Sequence, residues 1–330
     1  MRRIFIFLLI ACSIPQLMAQ QVISDSVVVA NSIDSLLHPP ADTLKSLLLQ
    51  PPQSHINHKR LNTLMIGGGA LCAGSLIGLY HLWYADYAHD GFKIKDDNDE
   101  WLQMDKVGHA MTSYHVGRTL YQTMRWTGLD EKRAVFYGGF SGLAYLTVIE
   151  MMDGYSAEWG FSPGDMMANT IGSLIFVTQQ ATWHEQRITP KWSFHMTAYA
   201  QYYPATMGRN HMERVLKDYN GQTDWLSVNI ASFGLKETNF PKWLNIAVGY
   251  GATGMTGALG NANYTDNMPD VPMSERRRQW YISPDIDFSR IKTNSKFLKI
   301  LFTGLNYFKV PMPTLEFTVD KPVKFYFFYF

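Results

Sequence analysis

Three pairs of polar residues interrupt one apolar stretch of this chain. Asp105 and His109 lie four apart, Glu150 and Asp153 three apart, and Asp165 and Asn169 four apart. In a helix those spacings put both members of a pair on one face. If the three faces converge, they form an acidic cluster with one histidine inside a helical bundle, and Lys106 stands beside it in sequence. Four chemistries fit. Imidazole and carboxylate are ligands for zinc, iron or manganese, so Asp105, His109, Glu150, Asp153 and Asp165 are the candidate set for a divalent metal cofactor. Bundles hold metals with such inward-facing groups. Alternatively, Glu150 and Asp153 share a proton, with His109 as acid–base partner in a hydrolase or transferase. No Gly-x-Ser-x-Gly elbow supplies a nucleophile. A third use is recognition of a polar lipid or cell-wall group: Lys106, Arg118 and Arg125 meet phosphate, and Trp101, Tyr114 and Trp159 sit at an interface. The fourth is scaffold, in which Asp105 and Asp165 cap or bridge helix ends, His109 bonds a carboxylate and Asn169 satisfies backbone groups. Several acids in one apolar bundle are costly, which favours a functional use.

The elements that must position these residues follow from the pattern. A helix from about Trp101 to Trp126 carries Asp105 and His109, and Gly128-Leu129-Asp130 ends it. Asp130 caps the next helix, about Glu131 to Met152, which carries Glu150 and leads to Asp153. Ser162-Pro163-Gly164-Asp165 starts a third, with Ser162 as N-cap and Asp165 at the capping-box position, running to about Glu185. Upstream, Leu61 to Tyr84 holds no charge and is long enough either to span a membrane or to be the central helix of a bundle. Its glycines, Gly67 to Gly69, Gly74 and Gly78, allow close helix packing. Asp96 to Glu100 reads as an acidic helix start and lacks the glycine and terminal Glu of an EF-hand loop.

After Thr189-Pro190 the apolar period changes from 3.6 to 2. Strands are expected at Trp192 to Tyr203, Leu226 to Leu235, Leu244 to Tyr250, Trp280 to Phe288, Leu298 to Phe308, Thr314 to Val319 and Val323 to Phe330. The fold class is therefore α+β: an N-terminal bundle of about four helices, then an antiparallel β-rich domain forming a partial or small barrel. The terminal run Phe325 to Phe330 resembles the last strand of outer-membrane barrels, but is aromatic on both faces. Gly251 to Arg278 is a long loop, with Arg276-Arg277-Arg278 solvated. His115 and His184 read as surface or interfacial residues.

The envelope is the expected destination. Met1 to Ala19 has the Arg2-Arg3 start and short apolar core of a signal peptide, cleaved after Ala19; Leu9-Ile10-Ala11-Cys12 offers a lipobox with a lipidated Cys12 instead. Residues 20–60, with Pro39-Pro40 and Pro51-Pro52, read as a flexible tether. The domains are then the signal at 1–19, the tether at 20–60, a helical domain at 61–188 and the β-rich domain at 189–330. Charged residues make up 17% of the chain, below the roughly 25% usual in soluble domains. A net charge of +1 gives no field for nucleic acid. The two cysteines exclude a thiolate zinc site. Partners are expected to be a membrane or envelope component, or another protein.

Taken in order, Asp105-Lys106-Val107-Gly108-His109, Glu150, Asp153 and Phe161-Ser162-Pro163-Gly164-Asp165-Met166-Met167-Ala168-Asn169-Thr170-Ile171-Gly172 resemble the YfiM-like predicted periplasmic lipoproteins, over about Leu61 to Gln180. They are more distantly similar to VanZ-like membrane proteins, with Asp153 where that pattern more often has Gln. The resemblance implies an exported, envelope-associated helical domain and no assigned reaction. The leading expectation is an outer-membrane-associated protein, in the outer membrane or periplasm, whose cluster binds a polar ligand or partner. The alternatives are an inner-membrane location, and a hydrolase or transferase acting on lipid or cell-wall substrates.

Overall fold

A computed structural model describes residues 55–84, 88–89, 91–261 and 275–329. The signal segment, Cys12, Ala19 and most of the tether lie outside the described residues. The helical part opens with α1, His58–Leu79, capped by Asn57, whose side chain accepts from Arg60 N at 3.1 Å. A π-helical turn, Tyr80–Tyr84, continues it. Only Leu79 of α1 is buried, so the helix is peripheral and not the centre of a bundle. It is long and apolar enough to cross a membrane, as is the Glu131–Gly154 stretch.

A 3-10 turn, Glu100–Gln103, leads into α2, Met104–Trp126. The helix expected from Glu131 is two helices, α3 (Glu131–Gly139) and α4 (Ser141–Gly154), with Phe140 between them. Asp130 caps α3 as expected, accepting from Arg133 N at 3.0 Å. Then comes α5, Pro163–Trp183, with Ser162 as its N-cap. Glycine sets how closely these helices approach. A Cβ on Gly142 would lie 2.0 Å from Ser113 O, and one on Gly172 would lie 2.0 Å from Ala110 O. Thus α4 and α5 touch the backbone of α2 where no larger residue fits. Ser113 fastens the contact by donating to Asn169 O at 2.6 Å.

Six strands follow: β1 (Ile188–Phe194), β2 (Gln222–Val228), β3 (Leu244–Thr253), β4 (Arg277–Ile286), β5 (Met312–Thr318) and β6 (Lys324–Tyr329). They form one antiparallel sheet in sequence order, and it does not close into a barrel. Three short helices lie between β1 and β2: α6 (Tyr199–Tyr202), α7 (Pro204–Met207) and α8 (His211–Lys217). The fold is α+β.

Several expected strands change. Trp192 to Tyr203 stays extended only to Phe194 and then turns helical. Leu226 to Leu235 ends at Val228, followed by the 3-10 turn Ile230–Phe233. Leu298 to Phe308 is mostly helix α9, Lys296–Leu305, capped by Ser295. Its apolar residues, Phe297, Leu298, Leu301, Phe302 and Leu305, keep helical spacing, which alternation could not distinguish over so short a run. Arg277 and Arg278 begin β4 instead of lying in a solvated loop.

Candidate functional site

The three polar pairs converge. α2 brings Asp105 and His109, α4 brings Glu150 and Asp153, and α5 brings Asp165 and Asn169; the close approaches at Gly142 and Gly172 place the helices. His109 Nε2 lies 3.8 Å from Asp165 Oδ1, and Nδ1 lies 3.8 Å from Glu150 Oε1. One ligand atom each from Asp105, His109 and Asp165 falls within 4.8 Å of the others. Asp153 is set one turn further along α4, where its Oδ1 accepts from the Tyr84 hydroxyl at 2.6 Å.

The cap of α5 explains why Asp165 faces inward. Ser162 Oγ accepts from Asp165 N at 3.0 Å, the expected half of a capping box. The reciprocal bond is made by Glu150 instead, whose Oε2 accepts from Ser162 N at 3.1 Å. The Asp165 carboxylate, released from capping, turns to the Lys106 ammonium at 2.9 Å.

Lys106 stands one step off the Asp105/His109 face, yet its long side chain reaches the cluster. It also pairs with Asp97 at 2.6 Å and lies 3.7 Å from Asp105. Asp97 in turn accepts from Ser162 Oγ at 2.5 Å. A residue from the sheet side completes the rim: the Tyr219 hydroxyl donates to Asp105 Oδ1 at 2.6 Å. Asp97, Tyr84 and Tyr219 escape sequence reasoning because their contacts span 65 to 114 residues of chain.

The electrostatics are those of a buried, over-acidic cage. Burial pushes Glu150 up to about 8, with His109 opposing and Asp165 and Asp153 adding to the shift. Burial raises Asp165 to about 7 and Asp153 to about 6. Burial pulls the His109 imidazole down, but Asp165, Asp105 and Glu150 outweigh it and hold it above its ordinary value. The same contest, won by Asp105 and Asp165, raises Lys106. Glu150 Oε1, Asp153 Oδ2, Asp165 Oδ2 and Asn169 Nδ2 are buried and make no hydrogen bond among the described residues. Unmet buried polar atoms are rare and costly.

His109 is oriented from behind. Its Nδ1 lies 3.1 Å from Asn169 Oδ1. With the hydrogen on Nδ1, the ring donates there and turns the Nε2 lone pair toward Asp165. This is the arrangement by which an outer hydrogen bond fixes the tautomer of a metal-ligating histidine.

The other basic and aromatic candidates do not join. Arg118 lies beside Tyr114, Tyr307 and Asp287, and lines a cavity with Gln180 and Arg290. Arg125 donates to Leu129 O at the end of α2. Tyr114 is buried against Phe176, and Trp101 against Tyr219. His184 is exposed and pairs with Glu131, whereas His115 is buried, 4.6 Å from the Tyr307 ring, and so is not a surface residue. Asp96 accepts from Asn98 within its own turn.

No curated protein and no solved structure matches the chain. The ordered motif set that resembles the periplasmic lipoproteins does have a counterpart, although nothing in it extends to VanZ-like proteins. Residues 70–180, which hold every cluster residue from Asp97 to Asn169, match the family described as Predicted periplasmic lipoprotein (DUF2279).

Proposed function

We propose that this chain is an exported envelope protein, associated with the outer membrane, whose helical cluster binds a divalent metal ion and through it a polar ligand. The observation that carries the reading is the convergence of Asp105, His109 and Asp165 within 4.8 Å beside buried carboxylate oxygens that accept no hydrogen bond. Three protein ligands leave a coordination position open, as in sites that take water or substrate. Asn169 holds the histidine, and Lys106 balances one of the charges. The description of the matched family supports export, and its word lipoprotein supports lipidation at Cys12 over cleavage after Ala19.

The test is metal analysis of the purified full chain, followed by calorimetric titration with zinc, manganese and calcium separately. One equivalent of a divalent ion, lost in both His109→Ala and Asp165→Asn, is the expected result. A folded wild-type protein that takes up none of the three ions at millimolar concentration overturns the reading.

The hydrolase or transferase alternative has its own support. Glu150, raised to about 8 by burial, keeps its proton at neutral pH and is chemically able to donate it. Turnover of envelope lipid or cell-wall material that disappears in Glu150→Gln, with metal uptake unchanged, would select it.

A further inference from the structure

The sheet is inside out. Across β2 to β6, the register aligns Leu226, Val248, Ile282, Leu315 and Phe325 in one row. Each of the five is exposed, by 39% to 55%. A second row, Tyr250, Trp280 and Phe317, runs beside it, ending at β2 on Asp224, which is buried. Ile246 and Phe327 extend the same exposed apolar surface. The opposite face is buried and largely polar, around a small cluster of Trp225, Ala247, Tyr281 and Tyr329. Ser227, Asn245, Ser283, Asp285, Thr314, Glu316 and Lys191 are each 3% exposed or less. Lys191 Nζ pairs with Asp285 Oδ2 at 2.7 Å in this interior.

Water demands the reverse of this pattern. A half-solvated antiparallel sheet turns its apolar face to the core and its polar face out. Exposed apolar side chains covering five strands form a contiguous patch that monomeric soluble proteins avoid. Apolar outside and polar inside is the pattern of strands in lipid. The aromatic residues resolve the ambiguity of the terminal run. A register shift between β5 and β6 sets both Tyr326 and Tyr329 inward, where their hydroxyls meet Glu316 at 2.9 Å and Thr223 at 3.1 Å. Phe325 and Phe327 remain outside. The strand is therefore not apolar on both faces.

Two further features suit a bilayer. β3 and β4 have ten residues each, the length a tilted strand needs to cross hydrocarbon. At one end of the apolar rows, the Tyr250 and Trp280 rings lie 4.8 Å apart, next to Arg278 and Arg277 at the start of β4. Aromatic rings followed by basic residues mark the boundary between acyl chains and headgroups.

We propose that this face of β2 to β6 lies against the acyl chains of a membrane, so that the sheet is the lipid-embedded part of the molecule. The proposal deepens the outer-membrane association given above and rests on it. It makes the sheet face itself, and not only a lipidated N-terminus, the membrane contact.

The experiment uses the full chain with Cys72→Ser, reconstituted in phosphatidylethanolamine/phosphatidylglycerol vesicles. Single cysteines at Ile282 and Leu315, and at Lys321 as the water-exposed control, carry a polarity-sensitive fluorophore. Brominated acyl chains should quench the Ile282 and Leu315 labels at least fivefold more than the Lys321 label, and aqueous iodide should do the opposite. Equal iodide quenching at all three positions in vesicle-bound protein overturns the lipid-facing sheet and leaves envelope association by another anchor intact. Recovery of the protein only in the soluble envelope pool removes the outer-membrane reading as well. Labels shielded from both quenchers, in a species that sediments as a dimer, would assign the face to a second copy of the chain and overturn the proposal. Circular dichroism of each labelled protein verifies that the sheet is retained.

Discussion

The helical cluster and the interior of the sheet both bury charge, but with opposite balance. In the cluster, Asp97, Asp105, Asp165, Glu150 and Asp153 face one lysine, Lys106, and one histidine, His109. In the sheet, Asp285 stands between two lysines: Lys191 at 2.7 Å and Lys309 at 4.0 Å. The sheet closes its own account with further bonds, from Ser227 Oγ to Asp285 at 2.6 Å and from Lys191 Nζ to Ile286 O at 2.6 Å. Among the described residues, one oxygen of the sheet pair, Asp285 Oδ1, makes no hydrogen bond and has Lys309 beside it, whereas in the cluster oxygens on Glu150, Asp153 and Asp165 all lack one, with a single lysine among five acids. The difference is one of charge balance. A closed pair holds a shape, whereas an excess of buried acid is poised for protons or a cation.

The largest effect should come from breaking the closed pair. Asp285→Ala leaves Lys191 buried without its carboxylate, and should cost about 3–5 kcal/mol of stability. Pairing Asp285→Leu with Lys191→Met should recover most of it, as read by denaturant unfolding of the detergent-solubilised protein. If the single change is as mild as the double, the pair does not hold the sheet. In the cluster, Asn169→Ala should weaken metal affinity by about 10–100-fold without removing a ligand. Unchanged affinity would detach Asn169 from the site. Gly172→Ala should cost about 1–3 kcal/mol, because its methyl group meets Ala110 O and drives α5 away from α2. The same variant should lose metal, since the helices can no longer bring Asp165 to His109. Ser162→Ala should cost about 1 kcal/mol, the ordinary value of a helix N-cap.

The comparison can also be sharpened through pH. Glu150 is raised from its ordinary 4.5 to about 8, so the folded state binds its proton more tightly than the unfolded state. Its contribution to stability is complete below about pH 4.5 and is lost as pH rises through about 8. Metal-free protein should therefore lose stability across this window, and Glu150→Gln should flatten the dependence. Bound metal should act in the other direction, because protons compete with it for Asp165 and His109. A metal-free protein that gains stability from pH 5 to 8 would contradict this protonation state.

The cluster was legible in the sequence because spacings of three and four survive any tertiary arrangement. The caps at Asp130 and Ser162 were legible for the same local reason. Lys106 was a candidate only as a neighbour in sequence; its reach into the cluster was not legible, since a long side chain can leave the face its Cα occupies. Nor were Tyr219 and Asp97, whose contacts arise only when distant segments meet. The capping box was half right: Ser162 caps α5, but Glu150, from another helix, answers it. In the second half, alternation located most strands but misread α9, whose helical spacing is too short a run to separate from an alternating one. Alternation also leaves open which face meets water. For the terminal strand, the shift between β5 and β6 decides it.

The turn that leads into the cluster carries a mechanical implication. Trp101, Leu102 and Gln103 have φ values of 50°, 52° and 66°, a left-handed run that costs non-glycine residues about 1–2 kcal/mol each. It is clamped by the sheet side: Trp101 N donates to Ala258 O, the Tyr250 hydroxyl to Leu102 O and Arg278 to Gln103. Asp105 begins two residues later. The turn thus ties the sheet side to the first helix of the cluster. A shift of the sheet would be transmitted through it to Asp105, so the geometry of the cluster depends on how the two halves of the fold are packed.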